Sequence, residues 1–214
     1  MTVGGRILAY VQAAELGTPA NPTYISCVGR MAGLNLKNIT RTQVSVIIDT
    51  FLVEWGWMSR SLHRDERKGW EDILSLQIQY HSEFLNKVRH LSLAGQNFSA
   101  DRWLIEACYG SFFSAVGPVS AAKTLHLIAP GYFPPWDTSI AALAREVPRK
   151  CPNLVTGPKE SSHEYYGYIQ QIHDFLQTYL PTWRQLAQQF NRTELKMIDR
   201  YLWQNADPMA WADK

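Results

Sequence analysis

Cysteine is scarce in this sequence, and its spacing rules out the sites that cysteines usually build. The three cysteines, Cys27, Cys108 and Cys151, lie far apart, and no Cys-x-x-Cys pair occurs. Zinc sites and iron–sulfur clusters held by cysteines alone are therefore excluded. Scattered thiols in odd number are typical of reduced, buried cysteines in a cytosolic protein. Because the six histidines include no His-x-x-x-His pair, we expect no metal site.

Long hydrophobic runs are also missing, although 46% of the residues are hydrophobic and only 19% are charged. This balance is typical of a globular domain rather than a disordered chain. No run approaches the length of a membrane span. Residues 7–14 are apolar-rich, but the segment is short, is interrupted by Gln12 and lacks a convincing cleavage site. We therefore expect no secretion signal, no membrane partner and a cytoplasmic location, with nucleoid association in a bacterium.

Charge of one sign does not dominate, since the net charge is only +2. Such a small excess does not by itself indicate a nucleic-acid partner. Glycine-rich phosphate loops and Gly-x-Ser-x-Gly elbows are absent, which argues against an ATP-dependent enzyme and a serine hydrolase. We expect no nucleotide cofactor, and the sequence indicates no other cofactor.

What the sequence does contain is helical periodicity, without an alternating strand pattern. The fold class is therefore predicted to be all-α. Capping-box patterns at Thr40-Arg-Thr-Gln43, Ser161-Ser-His-Glu164 and Asn191-Arg-Thr-Glu194 indicate helix starts. Helices are predicted over 6–16, 23–32, 44–56, 70–93 and 162 onwards, with an end or kink at Pro181 and a last helix after 191. Charged or proline-rich loops are predicted at 59–69 and 146–160.

The most informative stretch runs from Tyr109 to Ile140. A helix is predicted up to about Phe113, after which Gly117 permits a tight turn. Pro118 suits the first position of a new helix that ends near Ile128. The proline- and glycine-rich segment 130–136 cannot be helical throughout. Asp137 then suits the N-cap of a third helix. The order is helix, hairpin, helix, constrained loop and capping aspartate.

This stretch resembles the helix-hairpin-helix DNA glycosylase superfamily, whose hairpin usually reads Gly-Val-Gly and whose catalytic aspartate follows in a Pro-Val-Asp-like segment. Ala115-Val116-Gly117 matches the hairpin, and Phe133-Pro-Pro-Trp-Asp137 matches the aspartate segment. The match covers about 30 of the 214 residues. An all-helical chain of this size is compatible with that fold.

The resemblance implies roles for particular residues. Asp137 would be the carboxylate that stabilises positive charge on the deoxyribose and positions or deprotonates a water molecule; a plain helix cap is the alternative. The hairpin amides would bind a DNA phosphate at the helix start, in the segment Ala115, Val116, Gly117, Pro118, Val119 and Ser120. Tyr132, Phe133 and Trp136 would line a pocket for a flipped base, or else anchor the loop in the core.

Two positions depart from the superfamily pattern. Ala115 replaces the first hairpin glycine, and Val119 occupies the position of the nucleophilic lysine. Members without that lysine are monofunctional and use water. Lys123 lies four residues on, one helical turn of about 5.4 Å along the same face. Schiff-base nucleophile (giving lyase activity), phosphate contact and solvated residue are all open for it. His126 is predicted to be a packed histidine.

The predicted architecture is a helix-hairpin-helix glycosylase-like bundle over 1–214, built as a single unit or as two interleaved helical subdomains. The hairpin and the catalytic-like segment fall within 101–146. The predicted function is hydrolysis of the N-glycosidic bond of a damaged or mispaired base in double-stranded DNA, by the monofunctional route. The alternatives are a non-catalytic helix-hairpin-helix DNA-binding protein and a helical protein-interaction module.

Overall fold

Helices form the whole architecture of the described chain. The computed structural model describes residues 2–17, 21–55, 68–137 and 161–206, and every regular element in these ranges is helical. The all-α prediction is confirmed to that extent. The α-helices are α1 (Val3–Gly17), α2 (Pro22–Ala32), α3 (Arg41–Gln43), α4 (Trp70–Tyr80), α5 (Ser82–Val88), α6 (Arg102–Val116), α7 (Pro118–Ile128), α8 (Ser162–Thr178), α9 (Leu180–Phe190) and α10 (Glu194–Ala206). Short 3-10 helices are formed by Leu36–Asn38, Leu93–Gly95 and Phe98–Asp101.

The capping box at Thr40 is confirmed and opens an unusual helix. The Gln43 N–H donates to Thr40 Oγ1 at 3.3 Å, and the Thr40 N–H donates to Gln43 Oε1 at 3.0 Å. Beyond α3 the backbone widens into π-helical segments, Val44–Asp49 and Phe51–Trp55. The core face of these segments is formed by Val44, Ile47, Ile48, Phe51 and Leu52, whereas Val46 is 44% exposed. The hydrophobic pattern therefore predicted the buried face correctly, although it did not distinguish the π-helix from an α-helix.

The single long helix predicted over 70–93 is wrong, because the chain breaks it at His81. His81 leaves helical geometry at φ −90°, ψ 9°, and its ring Nε2 lies 3.0 Å from Ser111 Oγ of α6. Leu93 belongs to a separate 3-10 turn, and its N–H donates to the Gly131 carbonyl at 2.8 Å. These long-range contacts override a helical pattern that is visible only locally.

Of the two caps predicted in the C-terminal part, the one at Ser161 is confirmed and the one at Asn191 is wrong. Ser161 Oγ accepts from the Glu164 N–H at 3.2 Å, as predicted. The last helix is capped instead by Thr193, whose Oγ1 accepts from the Lys196 N–H at 3.2 Å. Asn191 ends the preceding helix in the left-handed conformation, at φ 52°, and is thus a helix terminator. Around Pro181 the chain ends α8 and starts α9.

Helix α7 lies at the centre of the bundle. Every residue from Val119 to Ile128 is buried, and α7 contacts α2, α6 and the second π-helical segment. A helix that is buried all round must be surrounded by other elements. Its neighbouring residues Ala121 and Ala122 are fully buried. The hairpin helix is therefore also the core helix.

Several predictions fall on residues outside the described ranges. These are the helix behind Asp137, the loop at 146–160, most of the loop at 59–69, and Cys151.

Gly131 is held where a side chain does not fit, which gives a stability prediction. A Cβ atom at this position would lie 2.6 Å from the Leu91 carbonyl oxygen. We expect Gly131→Ala to lower the free energy of unfolding by about 2 kcal/mol, since backbone must move. The matched control is Gly29→Ala within α2, where a Cβ meets nothing within 4 Å. That change should stabilise by about 0.5 kcal/mol through helix propensity. Urea unfolding of both variants measures the difference, and equal stabilities would contradict the clash.

Candidate active site

The hairpin turn has the geometry that its sequence predicts. Gly117 adopts φ 79°, ψ 171°, a region open essentially to glycine alone. Its N–H donates to the Phe113 carbonyl at 2.8 Å, and its own carbonyl accepts from Ala121 at 2.9 Å. Pro118 starts α7, and the predicted boundaries Pro118–Ile128 are confirmed. The preceding helix runs three residues beyond the predicted Phe113, to Val116.

The side chains of the predicted phosphate-binding segment point into the protein rather than into solvent. Ala115, Val116, Gly117, Val119 and Ser120 are buried, and Pro118 is half-buried. Apart from Pro118, little of this segment is therefore open to a phosphate. The phosphate contact stays a prediction.

The loop between α7 and Asp137 is held by its main-chain oxygens. Side-chain or main-chain donors bind five of the six carbonyls from Pro130 to Pro135, at 2.8 to 3.1 Å. The donor–acceptor pairs are Thr193 to Pro130, Leu93 to Gly131, His126 to Phe133, Tyr165 to Pro134 and Tyr168 to Pro135. We name this arrangement the carbonyl clamp. Satisfying so many loop carbonyls with fixed partners determines the path of the chain up to Asp137.

The aromatic rings of the loop lie in the core. Tyr132 and Phe133 are fully buried and Trp136 is 3% exposed. The rings of Tyr132 and Phe133 each meet Phe84 edge-to-face, with centroids 6.3 Å apart. The structure thus gives them the anchoring role that the sequence left open. A base-pocket role for these residues stays a prediction.

Lys123 and Asp137 meet at the end of the carbonyl clamp. Lys123 Nζ lies 2.7 Å from Asp137 Oδ2; the lysine side chain is 7% exposed and the aspartate side chain 24%. This is the short contact of an ammonium that donates to a carboxylate. Asp137 keeps partial access to solvent, whereas Lys123 has almost none. The structure thus brings together the two residues that the sequence selected as catalytic candidates.

His126 is a buried neutral histidine, as predicted, and it orients the clamp from α7. Its Nδ1 lies 2.8 Å from the Phe133 carbonyl, which can only accept, so Nδ1 carries the proton. Nε2 then accepts from the Tyr24 hydroxyl at 2.9 Å. Burial lowers the pKa of His126 to about 4, and nearby Lys196 acts in the same direction, while the bond to Phe133 and the Asp199 carboxylate oppose it.

A second Lys–Asp pair lies beside this histidine. Lys196 Nζ is 2.5 Å from Asp199 Oδ2, with side-chain exposures of 14% and 11%, and 5.0 Å from the centre of the Tyr24 ring. Burial first, and then the carboxylates of Asp199 and Asp137, raise the pKa of Tyr168. Both carboxylates therefore act on Tyr168, whose hydroxyl donates to the Pro135 carbonyl.

Sequence reasoning missed most of the residues that build this surrounding. Tyr165 and Tyr168 fall within the helix predicted from 162 onwards, but the sequence gives no sign of their contacts. The same is true of Tyr24, Thr193, Lys196 and Asp199. Thr193 was detectable as a capping residue, although its Oγ1 also donates to Pro130. The hydroxyl bonds of Tyr165 and Tyr168 span 31 and 33 residues, and no local pattern signals them.

Comparisons with protein-family models, with curated proteins and with solved structures find no match to this chain. Within the described ranges, none of the helices combines the length and the apolar character that crossing a membrane requires. The same ranges hold no group of three or more His, Cys, Asp or Glu side chains placed to bind a metal ion. What the arrangement offers chemically is a partly exposed carboxylate on a fixed loop, paired with a buried ammonium.

Proposed function

We propose that this protein is a DNA base-excision glycosylase with Asp137 as its essential carboxylate. The supporting observation is the placement of that carboxylate. Asp137 lies at the end of a loop fixed by the carbonyl clamp, next to the helix that follows the hairpin, and is 24% exposed. A carboxylate fixed in this way can stabilise the positive charge that develops on the deoxyribose as the base leaves. It can also orient or deprotonate the attacking water.

The ion pair supports the monofunctional route over the Schiff-base route. A lysine that attacks the sugar must first be a neutral amine. Lys123 instead donates to Asp137 at 2.7 Å and is 7% exposed. Its nitrogen is therefore bound in an ion pair, whereas a nucleophilic amine needs an available lone pair. In this role Lys123 is a positioning residue that holds the Asp137 carboxylate in place. Water, rather than Lys123, then attacks the sugar.

The proposed DNA contact is the turn at Gly117, where main-chain groups at the start of α7 can face a phosphate. The net charge of +2 supplies little general attraction, so binding would depend on local contacts and on lesion recognition. The burial of the turn favours one alternative, a hairpin that serves only as a packed helix corner. Salt-dependent binding to duplex DNA distinguishes the two, because phosphate contacts release counterions.

The direct test is a screen of duplexes that each carry one damaged or mispaired base. We expect release of a free base from one of them, leaving an intact strand with an abasic site. Salt-dependent binding to all duplexes without base release would indicate a non-catalytic DNA-binding protein. Absence of duplex binding would leave the helical protein-interaction module.

Borohydride reduction during turnover tests the choice of mechanism. We expect no covalent protein–DNA adduct, because only a Schiff base is trapped in this way. Lys123→Gln is the diagnostic variant, and Lys37→Gln, at an exposed position, is its control. An adduct that forms in the wild type and in Lys37→Gln but disappears in Lys123→Gln would establish the bifunctional route instead.

A further inference from the structure

Two tyrosines join the hairpin turn to the loop that carries Asp137. The rings of Tyr109 on α6 and Tyr165 on α8 are stacked, with centroids 4.2 Å apart and an interplanar angle of 13°. The Tyr109 hydroxyl donates to the Pro118 carbonyl at 3.4 Å, and the Tyr165 hydroxyl donates to the Pro134 carbonyl at 3.1 Å. One end of the stack therefore holds the first residue of α7, and the other end holds the carbonyl clamp.

Both phenols are suited to this role because both are buried and neutral. Each is fully buried by surface area, and burial raises the pKa of both hydroxyls above the ordinary value, with the Glu164 carboxylate adding to the effect at Tyr109. A neutral phenol keeps its proton and can donate to a carbonyl. Buried rings in close contact also have little room to move independently.

We propose that the Tyr109–Tyr165 stack is a brace that couples the position of the hairpin turn to the position of the Asp137 loop. A displacement at the turn moves the Pro118 carbonyl and, through the stacked rings, the Pro134 carbonyl. Tyr109 and Tyr165 are then positioning residues, since neither touches the reacting atoms. A catalytic role for this coupling, in which a phosphate bound at the turn positions the Asp137 carboxylate for reaction, rests on the proposed function. The coupling itself does not.

Tyr168 provides a matched control within the same helix. Its hydroxyl donates to the adjacent Pro135 carbonyl at 2.9 Å. Its ring is tilted against Tyr165 at 6.3 Å, so it does not extend the stack toward the turn. Removing the Tyr168 hydroxyl should therefore loosen the loop and leave the turn unchanged, whereas removing the Tyr165 hydroxyl should affect both.

Amide hydrogen exchange in the free protein tests the brace without DNA or activity. The amides of Gly117 and Ala121 report on the turn, and the amide of Phe133 reports on the loop, because all three donate to backbone carbonyls. In Tyr165→Phe we expect exchange to rise about threefold at all three amides, the effect of losing one hydrogen bond of ordinary strength. In Tyr168→Phe only the Phe133 amide should exchange faster. Amides of α1 serve as the reference for global opening.

Tyr109→Phe tests the coupling from the other end and keeps the test decisive if Tyr165→Phe folds poorly. It should raise exchange at Phe133, although Tyr109 makes its hydrogen bond at Pro118. Unchanged Phe133 exchange in Tyr109→Phe, or equal effects of Tyr165→Phe and Tyr168→Phe at the turn, would refute the brace.

A second set of measurements tests whether the brace transmits duplex binding to the Asp137 loop. Duplex binding should slow Phe133 exchange in the wild type and slow it less in Tyr165→Phe, which should also release base more slowly at saturating duplex. Equal slowing by duplex in both proteins would show that the brace does not transmit binding. If no duplex binds, the proposed function fails, and the result in the free protein still decides on the brace.

Discussion

Asp137→Asn is expected to reduce single-turnover base release by at least about a hundredfold, because it removes the charge opposite the developing cation while keeping the shape of the side chain. The same change leaves the ammonium of Lys123, 7% exposed, facing a neutral amide. We therefore also expect it to lower the free energy of unfolding by about 1–3 kcal/mol. Both quantities are measurable on one preparation, the first by quenched-flow release of the base and the second by urea unfolding.

Two further variants separate chemistry from stability. The double change Lys123→Gln with Asp137→Asn removes both charges, so it should recover much of the stability and none of the activity. Asp72→Asn is the matched control, since Asp72 forms an exposed ion pair with Arg41 and should change neither quantity by much. If base release by the double variant returned together with stability, Asp137 would be a structural residue and its catalytic assignment would be wrong.

Acid is expected to destabilise the protein through His126 before the carboxylates begin to titrate. Burial lowers the pKa of His126 from 6.5 to about 4. Since the folded-state pKa is below the unfolded one, the unfolded chain takes up the proton first. The stabilising contribution is complete above pH 6.5 and is lost as pH falls through the folded pKa. The difference between the unfolded and folded pKa values of His126 corresponds to about 3 kcal/mol of unfolding free energy, at about 1.36 kcal/mol per pKa unit.

Urea unfolding between pH 6.5 and 5 measures this loss in a range above ordinary carboxylate titration. His126→Gln removes the titrating ring and should give a shallower dependence on pH than the wild type, whatever its absolute stability. His81 is also buried, and burial lowers its pKa as well, so a smaller slope of the same sign should persist in the variant. Identical slopes for the two proteins would mean that His126 does not titrate as a buried group.

The sequence was most informative where one or two residues dictate the backbone. Gly117 and Pro118 determine a turn and a helix start by their own conformational limits, and the predicted boundaries of α7 are confirmed. The backbone conformation of Gly117 is more restrictive than the sequence indicated. Its angles, φ 79° and ψ 171°, exclude side chains that an ordinary turn would accept. Even a small substitution there would strain the fold and could not test DNA contact alone.

The site was predictable only in its two charged residues. Lys123 and Asp137 could be selected because of their positions after the hairpin, yet their contact depends on how the loop returns to α7. The partners of Tyr165 and Tyr168 lie in a loop more than thirty residues away, where periodicity carries no information. The break at His81 has the same cause, because its ring contacts Ser111 on another helix.

The carbonyl clamp has a consequence for the order in which the molecule assembles. Its donors come from residues 93, 126, 165, 168 and 193, so the chain must bring segments from both sides of the loop together before Asp137 is fixed. The hairpin joins two helices that are consecutive in sequence and can form early. Contacts of long sequence separation generally form late in folding. A partly folded chain would thus carry the hairpin without the carboxylate in place, and any reaction that depends on Asp137 would be confined to the finished fold.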